Sequence, residues 1–97
     1  MDKLKRDELR IRLAIEKTIR RGEFIYPEVF NDAPTGAHCA LGCLGADSVS
    51  HAVEILKWNG LQVCAFISGF DGDDLEPGDD SYPYYELGRR LRNDYVG

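Results

Sequence analysis

From Lys3 to Arg21 the chain contains no glycine or proline, and Gly22 follows where a helix end favours a residue that tolerates positive φ. Asp2 precedes the run, its short carboxylate suited to the unbonded amides of a first helical turn. The segment predicts a helix of about five turns, and any fold of this chain has to be built around it. Ile11, Ile15 and Ile19 recur at four-residue spacing, with Leu4, Ala14 and Leu13 widening the stripe, so this side is expected to face a core. The basic residues fall mostly on the other side. Arg20 and Arg21 also suit the negative end of the helix dipole.

The segment Phe24 to Phe30 is aromatic and β-branched but holds Pro27, which predicts an extended edge segment. Asn31 to Gly36 has loop chemistry. Small and apolar residues crowd His38 to Ala46, where Cys39, Leu41, Cys43 and Leu44 are expected to line a short buried helix. Gly42 and Gly45 weaken that helix but admit a neighbouring backbone closely. A further helix is expected with Asp47 or Ser48 as cap, Val49, Ala52, Val53 and Leu56 as its apolar face, and Asn59-Gly60 as its stop.

Leu61 to Ile67 is a nearly continuous apolar run consistent with a buried strand, although a run this short does not separate strand from helix. Gly69, Gly72, Pro77 and Gly78 then break the chain into a loop. The last helix starts at Ser81 or Tyr82, with Pro83 in its first turn and Tyr84, Leu87, Leu91 and Tyr95 at helical spacing. The expected fold class is α+β: a compact, mainly helical single domain over residues 1–97, with three to four helices and one or two short strands.

A chain of 97 residues buries one modest core, in which a deep enclosed active site is hard to build. No apolar run approaches the roughly 18 residues needed to span a bilayer, and the charged N-terminal residues lack a signal-peptide core. A cytoplasmic protein with no membrane partner is expected. Cys39, Cys43 and Cys64 form an odd set and a poor disulfide framework, which fits a reducing compartment. The net charge of −5 hides a division. Residues 1–22 carry eight basic and four acidic side chains, whereas residues 23–97 carry four and thirteen.

The acidic charge is densest between Asp71 and Asp80, where six of ten residues are acidic and no Lys or Arg intervenes. Such a run repels itself, stays solvated and serves as a contact surface for a basic partner. A calcium loop is the competing reading, since Asp71, Asp73 and Leu75 fall at the first three ligand positions of an EF-hand. Glu76 then replaces the required glycine, and Tyr82 the bidentate carboxylate, so the match fails. No metal or cofactor is expected. The partner-binding residues are assigned as Asp71, Asp73, Asp74, Glu76, Asp79 and Asp80, with help from Glu86 or Asp94.

Other residues invite chemistry. Cys39 at a helix N-terminus is the arrangement that stabilises a thiolate, with His38 or His51 as base, but no motif places a third group and small buried cysteines are usually packing residues. Cys39, Cys43 and His51 fall one ligand short of a structural zinc site. Trp58 reads as a core or interface anchor. In the basic helix, Lys3, Lys5, Arg6, Arg10, Arg12 and Lys17 offer phosphate contacts, yet four acidic residues are interspersed and the rest of the chain repels a polyanion. Direct nucleic-acid binding is not expected, whereas the opposed charges permit a homo-oligomer.

The segments Cys39-Ala40-Leu41-Gly42-Cys43-Leu44 and Ile67-Ser68-Gly69-Phe70-Asp71, set between helices in this order, resemble an uncharacterised family of short bacterial and phage proteins. The family pattern is Cys-Ala-Leu-Gly-Ala-Leu, followed later by an aliphatic residue and Trp-Asn-Asp. Cys43 stands for its usual alanine, and Phe70-Asp71-Gly72 for its Trp-Asn-Asp. The resemblance implies a compact, mostly helical fold and a phage or mobile-element setting, and it carries no catalytic residue over. By analogy of size, charge and setting, the expected function is that of an inhibitor of the anti-CRISPR kind, which docks its acidic face on a basic surface of a nucleic-acid-handling host complex. The alternatives are a small thiol-dependent enzyme using Cys39 and a structural or oligomeric accessory protein.

Overall fold

The computed structural model describes residues 2–26, 31–32, 37–73, 78 and 80–96. They form two compact units, Met1–Asp47 and Ser48–Gly97.

The first unit begins with α1, Lys3–Arg20. The Asp2 carboxylate accepts from the amides of Leu4 at 2.8 Å and Lys5 at 3.3 Å. At the other end Gly22 adopts φ +82°, and the amides of Glu23 and Gly22 donate back to the Thr18 and Ile19 carbonyls. This is a Schellman closure, available because glycine has no Cβ to clash. The buried row is Asp7, Ile11, Ile15 and Thr18. Ile19 and Leu13 do not extend it, being 47% and 65% exposed. After positions 11 and 15 the helical period reaches 18, and residue 19 has already rotated outward. Thr18 is tolerated inside because its hydroxyl donates to the Ala14 carbonyl at 2.9 Å. Asp7 pairs with Lys3 at 3.3 Å.

Beyond α1 lie three two-residue strands, β1 (Phe24–Ile25), β2 (Asn31–Asp32) and β3 (Ala37–His38), in the order β1-β3-β2. β1 runs parallel to β3, and β2 antiparallel to it. The loop expected over Asn31 to Gly36 is therefore corrected at its start, since Asn31 and Asp32 pair with β3, while residues 33–36 lie outside the described residues. Strands this short carry no alternation that a sequence can display. The short buried helix is confined to α2, Ala40–Cys43, with Ala40, Leu41 and Gly42 buried, and it packs on α1.

In the second unit Ser48 caps α3, Val49–Leu56, by accepting from the His51 amide at 3.1 Å. α3 ends with Lys57 in the left-handed region at φ 61°, before Asn59-Gly60. Asn59 instead opens α4, Gly60–Asp71. Its Oδ1 accepts from the Gln62 amide at 2.8 Å, while Gln62 Oε1 accepts from the Asn59 amide at 3.0 Å. This reciprocal capping box turns the expected strand at Leu61 to Ile67 into helix. The helical period was masked because the outward positions Leu61 and Cys64 are themselves apolar, Leu61 being 76% exposed.

α5, Tyr82–Tyr95, packs along α4, with Val63, Phe66 and Phe70 of α4 and Tyr85, Leu87 and Leu91 of α5 buried. Gly69, expected in a loop, lies within α4 against the Tyr85 carbonyl, and Gly88 of α5 lies against the Phe66 carbonyl. The two helices thus cross backbone to backbone. Trp58 is buried, its ring 5.7 Å from Phe66 and 4.8 Å from Tyr84 between centroids. The described residues are mostly helical, in five helices against the three to four expected, and α4 accounts for the excess. No helix among them is long and apolar enough to cross a membrane.

Candidate functional site

The acidic stretch connects α4 to α5, and the packing of those two helices fixes where it starts and stops. α4 carries the chain through Asp71 and closes on Gly72, at φ +83°, with the Asp73 amide donating to the Ser68 carbonyl at 2.9 Å. Two side chains of α5 fasten this end. Tyr85 donates its hydroxyl to the Asp73 carbonyl at 2.6 Å, and Arg92 Nη1 donates to the Phe70 carbonyl at 2.9 Å. The guanidinium thereby sits at the negative end of the α4 dipole and satisfies one of its orphan carbonyls. At the far end the amides of Ser81 and Tyr82 donate to the Gly78 carbonyl at 2.9 and 3.0 Å.

Of the six assigned residues, Asp73 and Asp80 are exposed and Asp71 is half-buried at the end of α4. Asp74, Glu76 and Asp79 lie outside the described residues. Both expected helpers, Glu86 and Asp94, are exposed on α5. Glu86 lines a groove of about 380 Å³ with Tyr82, Arg89, Arg90 and Asn93, so its neighbours are arginines. A smaller hollow of about 180 Å³ beside Asp73 is lined by Gly72, Tyr85, Arg89, Arg92 and Asn93. The acidic surface therefore has a basic border, which sequence reasoning missed. The signal was the spacing of Tyr85, Arg89 and Arg92, at i, i+4 and i+7, which puts the tyrosine and both arginines on one face.

The thiol candidates sit in the first unit among polar groups that serve other ends. Cys39 is buried, and its Sγ accepts from the Gly42 amide at 3.4 Å as the N-cap of α2. Burial pushes the Cys43 thiol up to about 11, against the opposing influence of a hydrogen bond with Thr18. His38 Nε2 lies 2.8 Å from Glu23 Oε2, and Arg21 Nε donates to Glu23 Oε1 at 2.6 Å. The hydrogen bond with His38, then that with Arg21, holds the Glu23 carboxyl below its ordinary range. A thiol carried up by burial is a poor nucleophile near neutrality. Among the described residues no three His, Cys, Asp or Glu side chains are grouped to hold a metal ion.

The two segments that carry the family resemblance are both occupied with packing: Cys39 to Cys43 make the cap and turn of α2, and Gly69-Phe70 form part of the α4–α5 crossing. Comparison of the chain with known protein families, with curated proteins and with solved structures finds no match.

Proposed function

We propose that this protein is a non-enzymatic binding protein whose acidic stretch, centred on Asp71, Asp73, Asp74, Glu76, Asp79 and Asp80, docks on a basic surface of a nucleic-acid-handling complex and inhibits or modulates it. One observation carries the reading. The stretch is fastened at both ends to packed helices, by Tyr85 and Arg92 at one end and by the Ser81 and Tyr82 amides at the other, while Asp73 and Asp80 stay exposed. Anchored ends limit the entropy lost on docking, and clustered carboxylates steer encounter with a cationic surface. A phage inhibitor of host defence, competing with nucleic-acid phosphate, is the concrete version. A thiol enzyme using Cys39 has less in its favour, because the thiol is buried and caps a helix while His38 bonds Glu23.

The test is capture from a bacterial lysate with the parent protein and with a variant carrying Asp73→Asn, Asp74→Asn, Asp79→Asn and Asp80→Asn. The parent is expected to retain a partner at low salt and release it to excess duplex DNA. Equal capture by both proteins would end the proposal.

A further inference from the structure

Residues 23–97 hold only four cations, and three of them, Arg89, Arg90 and Arg92, fall within one turn of α5. Arg92 is committed to the Phe70 carbonyl. Arg89 and Asn93, one turn apart, line both the groove of about 380 Å³ and the hollow of about 180 Å³. Both are exposed, and neither makes a hydrogen bond or an ion pair with another described residue. A guanidinium fork and a carboxamide with unspent donors suit an anion that carries several acceptor oxygens. The groove continues along α5 through Glu86 to Tyr82. Tyr82, Glu86, Arg89, Arg90 and Asn93 lie within about 100° of the helix circumference, and ring, carboxylate and Arg90 follow one another about 6 Å apart along the axis. The Tyr82 ring is 48% exposed and is backed by the buried Tyr85 ring, 6.2 Å away between centroids.

The lining narrows the choice of ligand. Glu86 within the groove, and Asp73 beside the smaller hollow, repel a bare anion or a polyanion. A ligand that brings hydroxyl donors together with its charge turns the Glu86 carboxylate into an acceptor, and a flat ring system gains from the open side of Tyr82. We infer that this face of α5 binds a nucleoside 5′-phosphate. Its phosphate lies on Arg89, Arg90 and Asn93, its ribose hydroxyls donate to Glu86, and its base stacks on Tyr82. Every base has a π-face, so stacking alone discriminates little among bases. The inference does not rest on the proposed function.

Titration calorimetry with adenosine 5′-monophosphate tests it, with inorganic phosphate and adenosine as separate ligands. The parent is expected to bind the nucleotide at least about tenfold more tightly than either part alone. Arg89→Ala removes charge-assisted hydrogen bonds to the phosphate and should weaken binding at least about tenfold. Tyr82→Ala removes the stacking surface and should weaken it about fivefold or more. Both side chains are exposed, so helix content and the urea midpoint should stay those of the parent. Glu86→Ala should abolish the preference of the parent for the nucleotide over its 2′,3′-dideoxy analogue. A carboxylate that only repels the phosphate would, on removal, strengthen both ligands equally, and that result overturns the assignment. Absence of nucleotide binding at millimolar concentration also overturns it, as does inorganic phosphate bound as tightly as the nucleotide, which would mark an adventitious anion only. Binding of single-stranded oligothymidylate with none of the mononucleotide would assign the face to a polyanion and equally overturn the inference.

Discussion

Replacing Gly88 by alanine sets two physical effects of opposite sign against each other. On helix propensity alone Gly88→Ala in the middle of α5 should stabilise the protein by about 1 kcal/mol. The crossing predicts the reverse. A Cβ at Gly88 would overlap the Phe66 carbonyl and stand 2.9 Å from the Phe70 amide nitrogen, where ordinary contact begins at 3.4 Å. Both neighbours are backbone inside α4, so no side chain can swing away, and relief requires the helices to separate. Separation loosens Phe66, Phe70, Leu87 and Leu91, all at most 1% exposed. Overpacking of this kind costs about 3 kcal/mol at the upper end of its usual range. Less the propensity gain, the net loss is about 2 kcal/mol, or roughly 10 °C in melting temperature for a domain of this size. Urea titration followed by Trp58 fluorescence reads this unit directly, because the single tryptophan packs on Phe66 and Tyr84. Gly60→Ala, in the first turn of α4 with nothing within 4 Å of the added methyl, is the control and should not destabilise. If Gly88→Ala matched or exceeded the parent in stability, the reading of a backbone-to-backbone crossing would be refuted.

Asn59→Ala removes the capping box of α4 and should lower stability by about 1 kcal/mol, read as a shift of the urea midpoint. Arg92→Met takes a cation and a donor from the α4 C-terminus and should cost about 1 to 2 kcal/mol, with faster amide exchange at Gly72 and Asp73. Tyr85→Phe should speed the same amides at a smaller cost of about 1 kcal/mol, because the exposed Asp73 can turn to water. With a thiol reagent near neutral pH, exposed Cys64 should label first and Cys39 and Cys43 only on unfolding. The Cys43 thiol is raised from 9.0 to about 11, so the folded state holds this proton more tightly than the unfolded chain. Its contribution is complete below pH 9 and is lost as pH rises towards 11; Cys43→Ala should flatten that part of the stability profile.

Much of the fold was legible because some signals are local. Asp2, Ser48, Pro83 and the glycine-free run before Gly22 act within a few residues of themselves, and the structure uses each at the expected place. Two elements depart from their local pattern for specific reasons. Asn59 reads in the sequence as the end of one helix, but its bond partner, Gln62, lies ahead of it. Leu61 and Cys64 gave α4 no polar face, so its period could not be seen. At the candidate site the charges were plain in the sequence, but their arginine border was not, since Asp73 lines one hollow with Arg89 and Arg92 only because α5 lies along α4.

What the chain determined by itself is therefore the set of helices that carry their own caps and stops, together with the placement of charge along them. Only the tertiary structure decided that Gly69 and Gly88 belong to one crossing, that Thr18 and Asp7 turn inward while Ile19 turns out, and that Tyr85 and Arg92 hold the start of the acidic stretch. The physical reason is one of range. Caps and periods are settled by hydrogen bonds a few residues apart, whereas a helix crossing depends on the shapes of two surfaces whose meeting no local pattern encodes.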